Sequence, residues 1–455
     1  MTEQNVDILV IGGGPGGYTA AIRAAQLGFE VGLAERDELG GVCLNWGCIP
    51  TKSLLHAADV IRQADDAAEL GLDLGKPKFN LKKMVKRSRD VAAQLSGGIG
   101  HLMRKNAIRV FKGDAVFTNK NTVQVGDETI SADNVIIATG AAAKNLPHIA
   151  VDGERIWNAR DAMTPGFLPS KLLIIGAGAI GVEFASFYNT LGAEVTLVEV
   201  MDQILPSEDT EIAELAKQSF AGQGIEVRTG SSVDELKSSK SGLTATIGGE
   251  KLKFDAAILS VGVSGNTEGL GLPGIGIVAD RGFLSVDDQQ MTSVPGVYAI
   301  GDVAGVPCLA HKASHEGAIA VESIAGLCPH PINKARIPGC TYSHPQIASI
   351  GLTEQDAAEC GEIRVGRFPM IANGKAVAIN DTEGMIKTVF DAETGELLGA
   401  HMIGPGVTEM IQGFAVAIGL ETTERELMDT IFPHPTLSEA MHESVLSAYD
   451  RALNF

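Results

Sequence analysis

The stretch "DILVIGGGPGGYTAAIRAAQLGFEVGLAE", residues 7–35, decides how this chain folds. Its apolar run Ile8–Ile11 predicts a strand, and Gly12, Gly14 and Gly17 follow as a G-x-G-x-x-G turn. A helical stretch then reaches Leu27, Gly28 stops it, and a second strand ends at Glu35. Residues 172–199, "LLIIGAGAIGVEFASFYNTLGAEVTLVE", repeat the pattern at a constant offset of 164 residues, with Gly176, Gly178, Gly181, Gly192 and Glu199. One such turn in a chain with 54 glycines is weak support for a nucleotide site, since an ordinary strand–turn–helix can carry incidental glycines. Two in register, each with an acid 18 residues past the last glycine, point to two dinucleotide sites. The first glycine permits the tight turn, the second lets the backbone approach a pyrophosphate, and the third allows close packing. The phosphates then meet a helix N-terminus, and the acid meets a ribose hydroxyl.

Composition narrows the class. At 455 residues the chain is long enough for about three domains at roughly 150 residues each. Apolar residues make up 45%, enough for sizeable cores. No run approaches the ~18 apolar residues of a membrane helix, so no membrane association is expected. "MTEQNV" leads into the first strand without a basic flank, which predicts a cytoplasmic protein rather than a secreted one. A formal charge of −20 argues against nucleic acid as a partner. Six cysteines do not make a disulfide scaffold in such a chain. Cys308, Cys328, Cys340 and Cys360 read as small buried hydrophobes, and no cluster has metal-ligand spacing, so no metal is expected.

The pattern between and after the repeats suggests four regions: a first nucleotide domain over 1–145, a second over 146–265, a central domain over 266–337, and a last domain over 338–455. "NVIIATG" (134–140) and "GVYAIGDV" (296–303) read as strands returning to the first domain's sheet. Past Pro338 the pattern changes to "TYSHPQIASIGLTE"; "GMIKTVF" and "GELLGAHMIG" then read as strands, and a helical stretch near Met410–Gly419 precedes "FPHPTLSEAMHESVLSAYDRAL". The expected fold is α/β: two Rossmann-like dinucleotide-binding domains and a C-terminal α+β domain.

Cys43 and Cys48 share the segment "GGVCLNWGCIPTKSLL", residues 40–55. Five extended residues span roughly 16–18 Å, whereas disulfide-linked Cα atoms lie about 4.4–6.8 Å apart. A redox pair therefore needs a fold-back, which Asn45 and Gly47 permit. Leu54, Leu55, Ala58 and Ile61 recur at helical spacing, so Cys48 falls near a helix start, where a thiolate is favoured. Lys52 then lies one turn on. On spacing alone, two buried thiols at a loop–helix junction are an equal reading.

Together with "GAGAIGVE", "YAIGDV", "LAHKASHEG" and "HPTLSE", that segment resembles the pyridine nucleotide–disulfide oxidoreductases over essentially the whole chain, in the branch that oxidises dihydrolipoamide. The resemblance implies FAD in the first site, NAD in the second, and a homodimer formed through the last domain. It implies that Cys48 lies against the flavin, that Cys43 exchanges with substrate sulfur, and that Lys52 and Glu183 pair beside the flavin. His434 corresponds to the acid–base histidine and Glu439 to its orienting carboxylate. On the FAD side it implies Gly12, Gly14, Gly17, Glu35, Lys52, Gly140, Asp302 and, in the "LAHK" stretch at Leu309–Lys312, Leu309, Ala310 and His311, with Gly113 and Ala115 near the adenine. On the NAD side it implies Gly176, Gly178, Ile180, Gly181, Glu199, Val233 and Gly262. Other implied partners are the lipoyl domains and acyltransferase core of a 2-oxoacid dehydrogenase complex, or the lipoyl carrier protein of glycine cleavage. The chain departs from the family at "GVSGN" (262–266), where Val263 and Gly265 replace an arginine and a proline. A glutathione-type reductase would share the cysteines but use NADPH, and a mercuric-ion reductase would add terminal cysteines. A nucleotide-sensing scaffold would have no use for Cys43, Cys48, Lys52 and His434 together.

Overall fold

Strand β1 (Glu3–Ile11) lies between β2 (Val31–Glu35) and the strand Glu128–Ile137, parallel to both. The computed structural model describes residues 3–240 and 242–455. Alternate residues of β1 feed two different cores: Ile8 and Val10 pack on one side, Leu9 and Ile11 on the other. Because side chains alternate across a strand, a sheet covered on both faces needs the continuous apolar run seen here. Arg109–Lys112 extends the parallel sheet beyond β2, and Val297–Ala299 joins Glu128–Ile137 in parallel, with Val297 opposite Val135. The expected return of residues 296–303 to this sheet is therefore observed. The strands Ala115–Asn119 and Thr122–Val125 add an antiparallel hairpin.

The chain divides into two compact units. The first comprises residues up to Leu54, Phe79–Lys144 and Gly262–Ile332, and holds the sheet just described. The second comprises Leu55–Lys78, Asn145–Val261 and Asn333–Phe455. It contains a parallel five-stranded sheet centred on Lys171–Ile175 and an antiparallel one built from residues after Pro338. In the antiparallel sheet Met385–Asp391 pairs with Leu397–Gly404 and Ile363–Pro369. Helices Val407–Gly419 and Glu439–Ser447 cover one core, around Phe368, Phe390 and Phe414. The α/β reading of the two repeats and the α+β reading of the last region both hold.

The second unit also buries a lysine. Lys387 Nζ meets Asp209 at 2.8 Å, Glu211 at 2.9 Å and Glu354 at 2.6 Å. Burial disfavours the ammonium, but these carboxylates outweigh it and hold its pKa above the ordinary value.

One expectation changes. None of the four remaining cysteines is fully buried: Cys308 and Cys340 are half-buried, and Cys328 and Cys360 are exposed. Cys328 follows a helix end in a left-handed conformation (φ 47°), and Cys360 closes a short helix with Sγ 3.4 Å from Asp356 O, so local geometry places both at the surface. At "GVSGN", Val263–Gly265 forms a strand antiparallel to Ala141–Ala143. A Cβ at Gly265 would meet Gly282 O at 2.2 Å, so the close approach of two backbones demands glycine there.

Candidate active site

The two glycine turns have the same construction. Gly12 (φ 106°) and Gly176 (φ 99°) adopt a conformation that other residues rarely take. A Cβ at Gly17 would lie 1.8 Å from Gly12 O, and one at Gly181 would lie 2.0 Å from Gly176 O. The third glycine thus packs on the carbonyl of the first, inside the turn itself. The middle glycine differs. A Cβ at Gly14 would meet only Gly41 Cα at 3.9 Å, and one at Gly178 would meet nothing within 4 Å. The protein leaves open space beside the middle glycines, and each caps a helix N-terminus with unpaired amides: α1 (Pro15–Gln26) after Gly14, and Ala179–Thr190 after Gly178. This geometry fits a pyrophosphate at each turn.

The contrast is testable. Gly17→Ala and Gly181→Ala will destabilise the apoprotein by about 1–3 kcal/mol through overpacking. Gly14→Ala and Gly178→Ala will cost under about 1 kcal/mol while weakening dinucleotide binding. Thermal unfolding without ligand, paired with a binding titration, separates the two classes.

The repeated acids do more than sequence reasoning expected. Glu35 Oε2 accepts from Gly13 N (2.7 Å) and Oε1 from Asp37 N (2.8 Å). Glu199 Oε2 accepts from Ala177 N (2.7 Å) and Oε1 from Met201 N (3.0 Å). Each carboxylate ties the end of the second strand to the glycine turn and keeps lone pairs for further donors. In the first unit, Gly12, Glu35, Gly113 and Ala115 line one cavity of about 160 Å³ with Thr139 and Asn266. Four residues scattered over more than a hundred positions are thus brought to one place.

The cysteine segment folds back as two helices, α2 (Gly41–Trp46) and α3 (Cys48–Asp65), broken at Gly47. Asn45 Nδ2 donates to Leu39 O and Gly41 O, each at 3.0 Å, and pins the start of α2. Arg89, from α4 (Leu81–Lys105), donates to Asn45 O and lies 3.7 Å from the centroid of the Trp46 ring. Neither Arg89 nor its stack on Trp46 is readable from sequence, because 43 positions separate them. Cys43 is half-buried and Cys48 exposed; the two thiols, not joined as a disulfide, lie within hydrogen-bonding reach of each other. The bond from Cys48, then burial, push the Cys43 thiol well above its ordinary pKa, with Lys52 acting in the opposite direction. The bond from Cys48 and burial thus disfavour charge on Cys43, while Cys48 lies at the N-terminus of α3, a position that favours a thiolate.

Asp302 lies in a short turn, Gly301–Ala304, just after the strand Val297–Ala299. Burial raises its pKa, opposed by Lys312. Leu309 caps the helix Ala310–Ile324, whose first turn carries Ala310 and His311. Gly140 (φ 70°) follows the strand Glu128–Ile137. In the second unit, Ile180 is 46% exposed on the first turn of its helix, Val233 O contacts His148 Nε2 at 3.3 Å, and Gly262 has φ 96°. Glu183 is buried, and its Oε1 accepts from Tyr342 N at 3.0 Å.

The acid–base candidates also meet. His434 Nδ1 is 2.9 Å from Glu439 Oε1, and Glu439 Oε2 accepts from Thr436 N at 2.8 Å. Burial disfavours the Glu439 carboxylate, but the bonds from Thr436 and His434 prevail and hold its pKa below the ordinary range. With the carboxylate facing Nδ1, the tautomer protonated there is favoured and the Nε2 lone pair is left available. The His434 side chain is 77% exposed.

Residues 6–317 match the pyridine nucleotide-disulphide oxidoreductase family, and residues 337–445 match its dimerisation domain. Dihydrolipoyl dehydrogenase of Zymomonas mobilis is 54% identical over 465 residues, an alignment covering 99% of this chain and 100% of the relative. Dihydrolipoyl dehydrogenase of Rhizobium etli is 49% identical, with 99% of each chain covered. The crystal structure of LpdA from Mycobacterium tuberculosis superposes with a TM-score of 0.91 at 29% identity, covering 97% of this chain and 99% of that one. Family match, full-length relatives and doubled glycine turns agree that the chain belongs to the pyridine nucleotide–disulphide oxidoreductases.

Proposed function

We propose that this protein is a flavoprotein that oxidises protein-bound dihydrolipoamide to lipoamide and delivers the electrons to NAD⁺. The observation that carries this reading is the Cys43–Cys48 pair, folded back to the start of α3 in the unit that holds the first glycine turn. The names of the full-length relatives support the choice of dihydrolipoamide.

FAD would be held by the turn Gly12–Gly17, by Glu35 with Gly113 and Ala115, and by Gly140, Asp302 and Leu309–His311. Lys52 and Glu183 would pair beside it. NAD would be held by Gly176, Gly178, Ile180, Gly181, Glu199, Val233 and Gly262. The bound flavin supplies two-electron coupling between thiol exchange and hydride transfer. The chain's own groups do the rest. Nε2 of His434 takes a proton from a substrate thiol. The resulting thiolate attacks Sγ of Cys43, and Cys48 leaves as a thiolate at a site that favours one. The second substrate thiol then displaces Cys43 from the mixed disulfide, closing the substrate's own disulfide, and its proton passes to Cys43, whose elevated pKa suits it to receive one.

The match of residues 337–445 to a dimerisation domain supports a homodimer, with His434 serving the cysteines of the other subunit. Lipoyl groups would come from the lipoyl domains around the acyltransferase core of a 2-oxoacid dehydrogenase complex, or from the carrier protein of glycine cleavage. No helix among the described residues is long and apolar enough to cross a membrane. Anaerobic titration of the holoprotein with dihydrolipoamide, followed by NAD⁺, tests the reading. The flavin spectrum should be reduced and then restored; a flavin that dihydrolipoamide leaves oxidised sinks it.

The nucleotide preference follows from Glu199. Its carboxylate is anchored at the end of Glu194–Val198, and the next three residues are Val200, Met201 and Asp202, without a cation. A 2′-phosphate placed there faces like charge costing several kcal/mol, so kcat/KM for NAD⁺ should exceed that for NADP⁺ by about 10²-fold or more. Steady-state kinetics with both nucleotides checks this.

A further inference from the structure

Two charged side chains are buried behind Asp302, and the proposed chemistry uses neither. Lys312 is 1% exposed and Glu316 2%, one turn apart on the helix Ala310–Ile324. Lys312 Nζ donates to Gly301 O (3.2 Å) and Gly305 O (3.0 Å), at the two ends of the turn that carries Asp302. It also meets Glu316 Oε1 at 2.9 Å. Glu316 Oε2 in turn accepts from Gly301 N at 2.7 Å. All three protons of the ammonium have acceptors, and Gly301 is held through both its amide and its carbonyl.

The turn needs an external hold. Gly301 (φ 73°) and Gly305 (φ 103°) both lie in the left-handed region, so the backbone at its ends has wide conformational freedom. The helix that supplies the hold is itself locked against α1. A Cβ at Gly317 would meet Gly16 O at 2.7 Å, one at Gly16 would meet Ala313 O at 3.0 Å, and Arg23 pairs with Glu322 at 2.7 Å. One rigid helix thus sets both the start of α1 and the turn bearing Asp302. Stability is a poor account of such a pair, because apolar residues of similar volume often replace a buried ion pair without loss. What an apolar pair cannot provide is three hydrogen bonds to a glycine-ended turn.

We propose that Lys312 and Glu316 are positioning residues of the flavin site, a buried brace that fixes the Gly301–Gly305 turn so that the Asp302 carboxylate meets the hydroxyls of the cofactor's polyol chain. This rests on the assignment of Asp302 to the flavin. The experiment uses the full-length protein, stripped of flavin and titrated with FAD. Lys312→Met/Glu316→Leu should fold as apoprotein, melting below wild type because Gly301 N, Gly301 O and Gly305 O lose their partners, and its Kd for FAD should rise at least about tenfold, the scale of a lost charged hydrogen bond. Asp302→Asn should show a similar loss, and the triple variant should be no worse than Asp302→Asn alone, because the brace acts through that carboxylate. If the apolar pair does not fold, Glu316→Gln, which keeps the shape and removes the charge, enters the same cycle. Wild-type FAD affinity in a folded brace variant, or a loss that adds to that of Asp302→Asn, overturns the brace alone. Full affinity in Asp302→Asn overturns the assignment of Asp302, and the brace with it.

Discussion

Serine at Cys48 will abolish both dihydrolipoamide turnover and the long-wavelength thiolate–flavin absorption, whereas serine at Cys43 will abolish turnover and keep the absorption. Each loss of turnover should reach about 10⁴-fold or more, because deletion of a covalent nucleophile or its partner removes the pathway rather than slowing it. The difference in absorption follows from where the charge settles. Cys48 is the first residue of α3, where a helix N-terminus favours a thiolate, while Cys43 is half-buried and has its pKa pushed up by the bond from Cys48 and by burial. Flavin content should stay at the parental level in both variants, which separates chemistry from cofactor loss. Spectra recorded under anaerobic reduction decide the matter. Equal absorption in the two variants, or turnover within about tenfold of the parent in either, contradicts the assigned roles.

His434→Gln will lower kcat for dihydrolipoamide by roughly 10²–10⁴-fold, the usual contribution of a positioned general base. Raising the pH should recover part of the loss, since solvent then ionises the substrate thiol unaided. Reduction of the flavin by NADH should be untouched, because that half-reaction needs no base at the substrate thiol. Subunit mixing adds a second readout. Dimers of Cys43→Ser and dimers of His434→Gln are each inactive. After random exchange about half the dimers are hybrids, and if His434 serves the other subunit, each hybrid has one intact site. Activity should then climb toward about a quarter of wild type. The exposure of His434 and its fixed bond to Glu439 suit a base that faces outward from its own unit. Background activity after exchange verified by mass spectrometry would falsify the shared-site reading.

Much of the fold was legible in sequence where the signal was local. The runs Ile8–Ile11 and Leu172–Ile175 mark buried parallel strands because such strands must be apolar on both faces. The glycines at 17 and 181 mark turns because each packs on the carbonyl of the glycine five positions before it, whereas a Cβ at Gly12 or Gly176 would meet a distant backbone, Ala138 O at 2.3 Å or Ser260 O at 2.4 Å. The fold-back of Cys43 on Cys48 was foreseeable from Gly47 and from the helical pattern after Pro50. His434 and Glu439 are also near neighbours in the chain, and a short loop entering a helix brings them into contact.

Long-range facts were not legible. Composition and spacing do not say that Gly113 and Ala115 share a cavity with Gly12, which only the family resemblance suggested, because a sheet crossover decides it. Nor do they say that Cys328 and Cys360 are exposed, since cysteine composition alone favours burial and only the local backbone reverses it. The strand at Val263–Gly265 owes its glycine to Gly282, a contact outside any local window. Lys312 and Glu316 stand at a spacing that usually means a solvated ion pair on a helix face. Only packing of that helix on α1 buries them and turns them toward the Asp302 turn. Sequence by itself therefore determined what is set by short stretches of backbone, the two glycine turns above all, while the cysteine pair and the histidine–carboxylate pair were readable only with the family resemblance. Tertiary structure alone decided which distant groups share a cavity or a brace, because burial and close approach are properties of packed elements and leave no mark on either partner's own neighbours in the chain.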